Sequence, residues 1–244
     1  MSILSIVQDA AVDCGFSSVP ATAVSNVNQD VQQLVFFSKR AGRELLERAN
    51  WTNLDTAGTV TGDGVSTLFQ LPLDWKRFSP SDKSPRGALV SNKFPLLPLY
   101  GPINTEDLNL LKALPASTVR PVWRIIGGAL EIWPALSNGE IVTFSYYSSS
   151  WIMNAARSVS RATWNADDDF SLIDEDAIML GAVWRWKASK GLQYAEEFRS
   201  YEMSFARNAG QQQTERVVST SRKYVFGEQT YLGTIADLTT PITG

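Results

Sequence analysis

The spacing of apolar residues changes period twice along this chain, and that change limits the fold more than any other feature. Ile3, Val7, Ala10 and Cys14 recur at helical spacing, with Gly15 placed to stop the helix. A Ser/Pro-containing link from Phe16 to Ala23 follows. A second helix is expected from near Ser25 or Asn26 to about Asn50, with the stripe Val27, Val31, Leu34, Ser38, Ala41 and Leu45. Glu44 and Arg48 lie four apart on another face, the spacing of a helical ion pair.

From Trp51 the period is that of strands. Thr59-Val60-Thr61, the turn residues Gly62-Asp63-Gly64 and the alternating run Val65 to Leu71 predict two strands about a turn. Pro72, Pro80, Pro85, Pro95, Pro98 and Pro102 then restrict any strand to a short or edge position, because proline cannot donate to a ladder. Asn104 or Thr105 is placed to cap a short helix with Glu106 and Asp107 in its first turn and the stripe Leu108, Leu111 and Leu114, ended by Pro115. The clearest hairpin is the stretch Pro121 to Pro134, because Gly127-Gly128 supplies the positive φ angles of a two-residue turn. In Ile141 to Tyr147, Val142, Phe144 and Tyr146 fall on one face and Thr143, Ser145 and Tyr147 on the other.

The helical period then returns. Asp169 or Ser171 is expected to cap a helix running through Asp174-Glu175-Asp176 to about Ser189, with the stripe Ile173, Ala177, Leu180, Gly181 and Trp184. Lys187 and Lys190 suit its negative end, and Gly191 breaks it. Tyr194, Phe198, Tyr201 and Phe205 form an aromatic seam on one more helix, which fades near Gln211-Gln212-Gln213. This order predicts an α+β fold: a helical core from residues 1–50 and 166–213, interrupted by an antiparallel β insertion over 51–165 that carries the short helix. Residues 214–244 are rich in Thr, Ser and Gly and have no helical period, with too little apolar surface to order alone. They read as a frayed terminus or as an arm that binds a partner through Arg216, Arg222, Tyr224, Phe226, Tyr231 and Leu232.

Little of this supports catalysis. The chain has no histidine, which removes Ser-His-Asp and Cys-His mechanisms and the commonest transition-metal ligand. One cysteine, Cys14, leaves no internal disulfide and no cysteine-based zinc site; it reads as a small buried apolar residue. No phosphate-binding glycine loop, dinucleotide fingerprint or nucleophile elbow occurs, and no cofactor is expected. A net charge of −3 argues against a phosphate-gripping surface. No apolar run approaches the roughly 20 residues of a membrane span, and no basic signal region opens the chain, so folding in a cytoplasm is expected.

Two constellations stand out. Asp167, Asp168 and Asp169 with Asp174, Glu175 and Asp176 read as a helix cap and acidic first turn, as a metal or acid/base site, or as a carboxylate wall that repels DNA phosphates from a channel. Trp184, Arg185 and Trp186 are consecutive on one helix and cannot all face one core, so Arg185 and Trp186, with Arg199, are candidates for a subunit interface.

Several stretches resemble the head-to-tail adaptor proteins of tailed bacteriophages. They are Ile3 to Ala11, Gln33 to Trp51 through Ala41-Gly42-Arg43-Glu44-Leu45, Leu71-Pro72-Leu73-Asp74-Trp75-Lys76-Arg77-Phe78, Gly127 to Ala135 and Trp184 to Glu202. The family includes tubular tail proteins of short-tailed phages and neck adaptors of some long-tailed ones. The resemblance implies a helical core with a β insertion, a homo-oligomeric ring, typically of twelve copies, below the portal protein, and DNA passing through without specific binding. It also implies a C-terminal extension docked into the portal, contact with the next tail or neck protein, and residence in the virion neck. On this reading the chain is not an enzyme. The alternatives are a carboxylate-dependent cell-wall hydrolase resting on Asp168 and Asp174, and an aromatic-surface binding module using Trp123, Trp133 and Trp151.

Overall fold

The computed structural model describes residues 1–80, 87–113 and 120–210. Five α-helices are present among them: α1 (Ile3–Asp13), α2 (Gln29–Arg48), α3 (Thr105–Lys112), α4 (Glu175–Ser189) and α5 (195–210). The strands are β1 (Asp55–Thr61), β2 (Leu68–Gln70), β3 (Trp75–Phe78), β4 (Leu89–Ser91), β5 (Val122–Ile126), β6 (Ala129–Trp133), β7 (Ile141–Ser148), β8 (Ile152–Met153), β9 (Ser160–Arg161) and β10 (Phe170–Ser171). All the strand pairs are antiparallel. The fold is α+β, with the helices of both ends packed into one body.

That body forms where the stripes require it. α1 buries Ile3, Ile6, Val7, Ala10 and Ala11, and α2 buries Val31, Leu34, Ser38, Ala41 and Leu45. α4 lies across both and is buried nearly all round, through Ala177, Ile178, Gly181, Ala182, Val183, Arg185 and Trp186. Close approach of α2 and α4 depends on Gly181, where a Cβ would stand 2.6 Å from the Ala41 methyl, and Gly42 seats the Trp151 ring on α2, where a Cβ would stand 2.3 Å from it. α2 starts three residues later than its apolar pattern predicts, at Gln29, because Asn28 rather than Ser25 or Asn26 caps it by accepting from Asp30 N–H at 2.9 Å. Val27 therefore lies outside the helix and is 93% exposed, not part of the stripe.

β7 is the axis of the β part. One of its edges pairs with β1 throughout, while the other takes β4 at Val142–Phe144 and β3 at Tyr146–Ser148. The second sheet has the order β2-β6-β5. Gly62-Asp63-Gly64 thus does not close a hairpin: β1 pairs with β7 and β2 with β6, so the turn passes the chain between sheets. Gly127 and Gly128, at φ 57° and 80°, do close the β5–β6 hairpin. Between the sheets lies a second core of Phe78, Leu89, Trp123, Leu130, Ile132, Val142 and Phe144.

β7 also joins the two cores. Val142, Phe144 and Tyr146 face the β core, whereas Tyr147 is buried with the helices. Trp151, Ile152 and Trp164 belong to the helical core too, so the helical packing begins well before residue 166. The small sheet β10-β8-β9 sits against α1 through a bridge from Ser2 to Phe170.

Candidate assembly interfaces

The predicted interface residues Arg185 and Trp186 face inward, which corrects their assignment to a subunit contact. The Arg185 guanidinium donates to Gly181 O at 2.6 Å and to the Glu44 carboxylate, and lies 4.3 Å over the Trp184 ring. Glu44 also accepts from the Tyr201 hydroxyl at 3.1 Å. Burial, then the Glu44 charge, pushes the Tyr201 phenol above its ordinary range. Arg48 reaches Glu44 at 3.4 Å, the spacing the sequence predicts, but its shorter contacts are to both Glu202 oxygens at 2.7 and 2.6 Å, and it stacks 4.0 Å over Phe205. Arg185 therefore ties α2, α4 and α5 within one chain, and Trp186 packs 5.4 Å from Phe16 in the link after α1.

Arg199 is exposed, as an interface residue must be. Beside it the outer side of α5 presents Met203 and Phe198, and the preceding turn presents Leu192 and Tyr194, all at least 41% exposed. The aromatic seam of the sequence is thus divided. Tyr201 is fully buried and Phe205 partly so, while Tyr194 and Phe198 cover Trp184 and still reach solvent.

The acidic residues do not gather on one wall. Asp167 accepts from the Ala23 and Val24 N–H groups at 3.1 and 2.7 Å. Asp169, almost fully buried, accepts from Asn165 and Ala166 N–H and lies 3.8 Å from Arg161. Neither it nor Ser171 caps α4. Asp174 does, accepting from Ala177 N–H at 2.9 Å and from the Ser204 hydroxyl at 3.3 Å. Burial holds its carboxyl above the usual Asp range despite these donors. Glu175 pairs with the Met1 ammonium group. Only Asp168 and Asp176 are exposed, which corrects the expected channel-facing cluster of six. Among the described residues no group of three or more acidic or thiol side chains converges as a metal site, and no helix is long and apolar enough to cross a membrane. Cys14 is half-buried, and burial pushes its thiol up to about 12.

The proposed aromatic binding surface is also internal: Trp123 and Trp151 are buried and Trp133 is half-covered. A cluster of exposed apolar residues on the β part lies instead in the segment between β4 and α3, where Phe94, Leu96, Leu97 and Tyr100 are 47–85% exposed. Sequence reasoning passed over this patch because prolines dominate the segment, although four large apolar residues among three prolines were the available signal. It also missed Arg77, which binds the C-terminal end of α2 at Leu46 O, Ala49 O and the Asn50 side chain at 2.7–3.1 Å. Lys76 adds an ion pair to Glu47 at 2.6 Å. Arg77 acts chiefly on main-chain acceptors at a helix end, which leave no mark in residue spacing. The proposed arm residues Arg216, Arg222, Tyr224, Phe226, Tyr231 and Leu232 lie outside the described residues.

α3 covers the outer face of the β2-β6-β5 sheet through one buried carboxylate. Glu131 is held by Lys112 at 2.9 Å and Arg124 at 2.6 Å, and Arg124 also donates to Thr105. Burial opposes the Glu131 charge, but the two cationic donors prevail and hold its carboxyl below the usual range. In comparison with known proteins, the chain matches no family model and no curated protein significantly.

Proposed function

We propose that this chain is a structural, ring-forming adaptor of the tailed-phage neck, seated between the portal and the tail, and that it is not an enzyme. The observation that carries this reading is the pair of separate apolar surfaces: Leu192, Tyr194, Phe198 and Met203 on the helical body, and Phe94, Leu96, Leu97 and Tyr100 on the β part. A closed ring needs a heterologous contact, in which two different patches of each subunit meet. Exposed aromatic and methionine side chains beside an arginine are the composition such contacts favour. The resemblance along residues 1–210 supplies the partners, namely the portal protein, the next tail component and further copies of the chain. Residues 214–244 are assigned as the portal-docking arm.

The hydrolase reading has lost one of its two carboxylates, since Asp174 is used as a helix cap. The adaptor reading is tested by mixing the protein with purified portal rings and sedimenting the mixture. The protein should comigrate with portal, and Met203→Asp should reduce its occupancy of the ring at least tenfold. Comigration unaffected by this change and by Phe94→Asp would remove the two patches from the account. An absence of any complex would remove the adaptor reading itself.

A further inference from the structure

A groove of about 430 Å³ runs between β3 and β5, lined by Trp75, Phe78, Pro102, Ile103, Trp123 and Ile125 among others. Such a volume is within the range of ligand pockets. Two features say what would fill it. First, among the described residues the β5 edge is open at one residue. Trp123 exchanges bonds with the strand-like segment 100–103, giving its N–H to Tyr100 O at 2.9 Å and accepting from Ile103 N–H at 3.1 Å. By the alternation of an antiparallel ladder, Ile125 points its N–H and C=O the same way, past the place where the chain turns into α3. Second, the groove walls are largely aromatic and aliphatic. Main-chain acceptors and donors combined with apolar side chains describe an extended peptide added as a strand.

The end of α5 says which peptide. α5 runs alongside α2 in the same direction, since Tyr201 meets Glu44 while Glu202 and Phe205 meet Arg48. Its end is therefore directed at the β part, toward the joint where Arg77 binds Ala49 O and also lines the groove. The chain continues from there for residues 211–244. Tyr224 lies far enough beyond Gly210 for an extended chain to reach on the order of 45 Å, more than the length of α2. Tyr224-Val225-Phe226 is the stretch of that segment with the strongest strand composition.

We propose that the β3–β5 groove is a docking site for this chain's own C-terminal segment around Tyr224–Phe226, added as a short strand to β5 at Ile125. This goes beyond the adaptor reading and concerns the isolated chain without portal, so either can fail alone. The test uses the full chain carrying Cys14→Ser and Ile125→Cys, with a second cysteine placed singly at positions 222 to 228 and, as a control, at Thr240. Mild oxidation at low protein concentration should give an intramolecular disulfide at alternate positions within 222–228, at least tenfold above the control. Equal yields everywhere would overturn the proposal. So would covalent dimers alone, rising with concentration, since the occupant would then be a second copy. Independently, amide exchange at Ile125 should accelerate about tenfold in the full-length Tyr224→Ala/Phe226→Ala variant. Unchanged exchange would overturn the proposal as well.

Discussion

The helical body and the β part each have a dense aromatic core, but they are fastened in different ways. The body is closed by residues from opposite ends of the chain, such as Glu44 with Arg185 and Arg48 with Glu202. The β part is closed within its own span, by β1 pairing with β7 across the insertion, by the β5–β6 hairpin and by Glu131 gripping α3 through Lys112. Between them stand one strand, β7, with a face in each core, and the two cations of β3 on the end of α2. The difference teaches that the insertion is a partly independent unit on a body that only the complete chain can form. Such a division suits an adaptor, in which one part holds neighbours and the other reaches the next component.

The largest test of that contrast compares two buried tryptophans. Trp151→Ala and Trp123→Ala should each cost about 3–5 kcal/mol. Trp151→Ala should raise amide exchange in both parts, because the body carries the insertion. Trp123→Ala should raise it across β5 to β7 and leave α2 and α4 protected. Equal loss of protection everywhere in both variants would make the molecule one cooperative unit.

Next in size is the joint. Arg77→Gln removes charge-assisted bonds to the end of α2 and should cost about 2 kcal/mol. It should also split a single thermal transition, followed by circular dichroism, into two. A lower but still single transition would place the coupling in β7 alone.

The Glu131 grip gives a pH dependence. Its carboxyl is held below the ordinary value, so its contribution is fully present above the unfolded pKa of about 4.3 and is lost as pH falls through the lower folded value. Exchange in β5 and β6 should therefore quicken on acidification below that point. Glu131→Gln should flatten this response, and an unchanged acid response in that variant would assign it elsewhere. The smallest effect is expected at the hairpin. Gly128, at φ 80°, should cost about 1 kcal/mol on change to Ala, visible as a small drop in the melting temperature of the β part only.

How far the sequence foretold these features follows from the range of the forces involved. The α2 stripe from Val31 to Leu45, the Gly127-Gly128 turn and the two faces of β7 are local patterns, and the structure keeps each one. Pairing between distant strands is not local. Gly62-Asp63-Gly64 looked like a hairpin turn because nothing in that window records that β1 belongs beside β7. α4 misled in another way: a helix packed on several sides has no single stripe, so the inward position of Arg185 and Trp186 was hidden by their neighbour Trp184. The acidic residues show the same limit. Adjacent in sequence, they are drawn to separate backbone donors, at Ala23, Asn165 and Ala177.

The adaptor account is tested most directly by electron microscopy of portal rings incubated with this protein. The account predicts an added ring of this chain, coaxial with the portal and following its rotational order, with an open central channel. Portal rings that remain bare at saturating protein would contradict it.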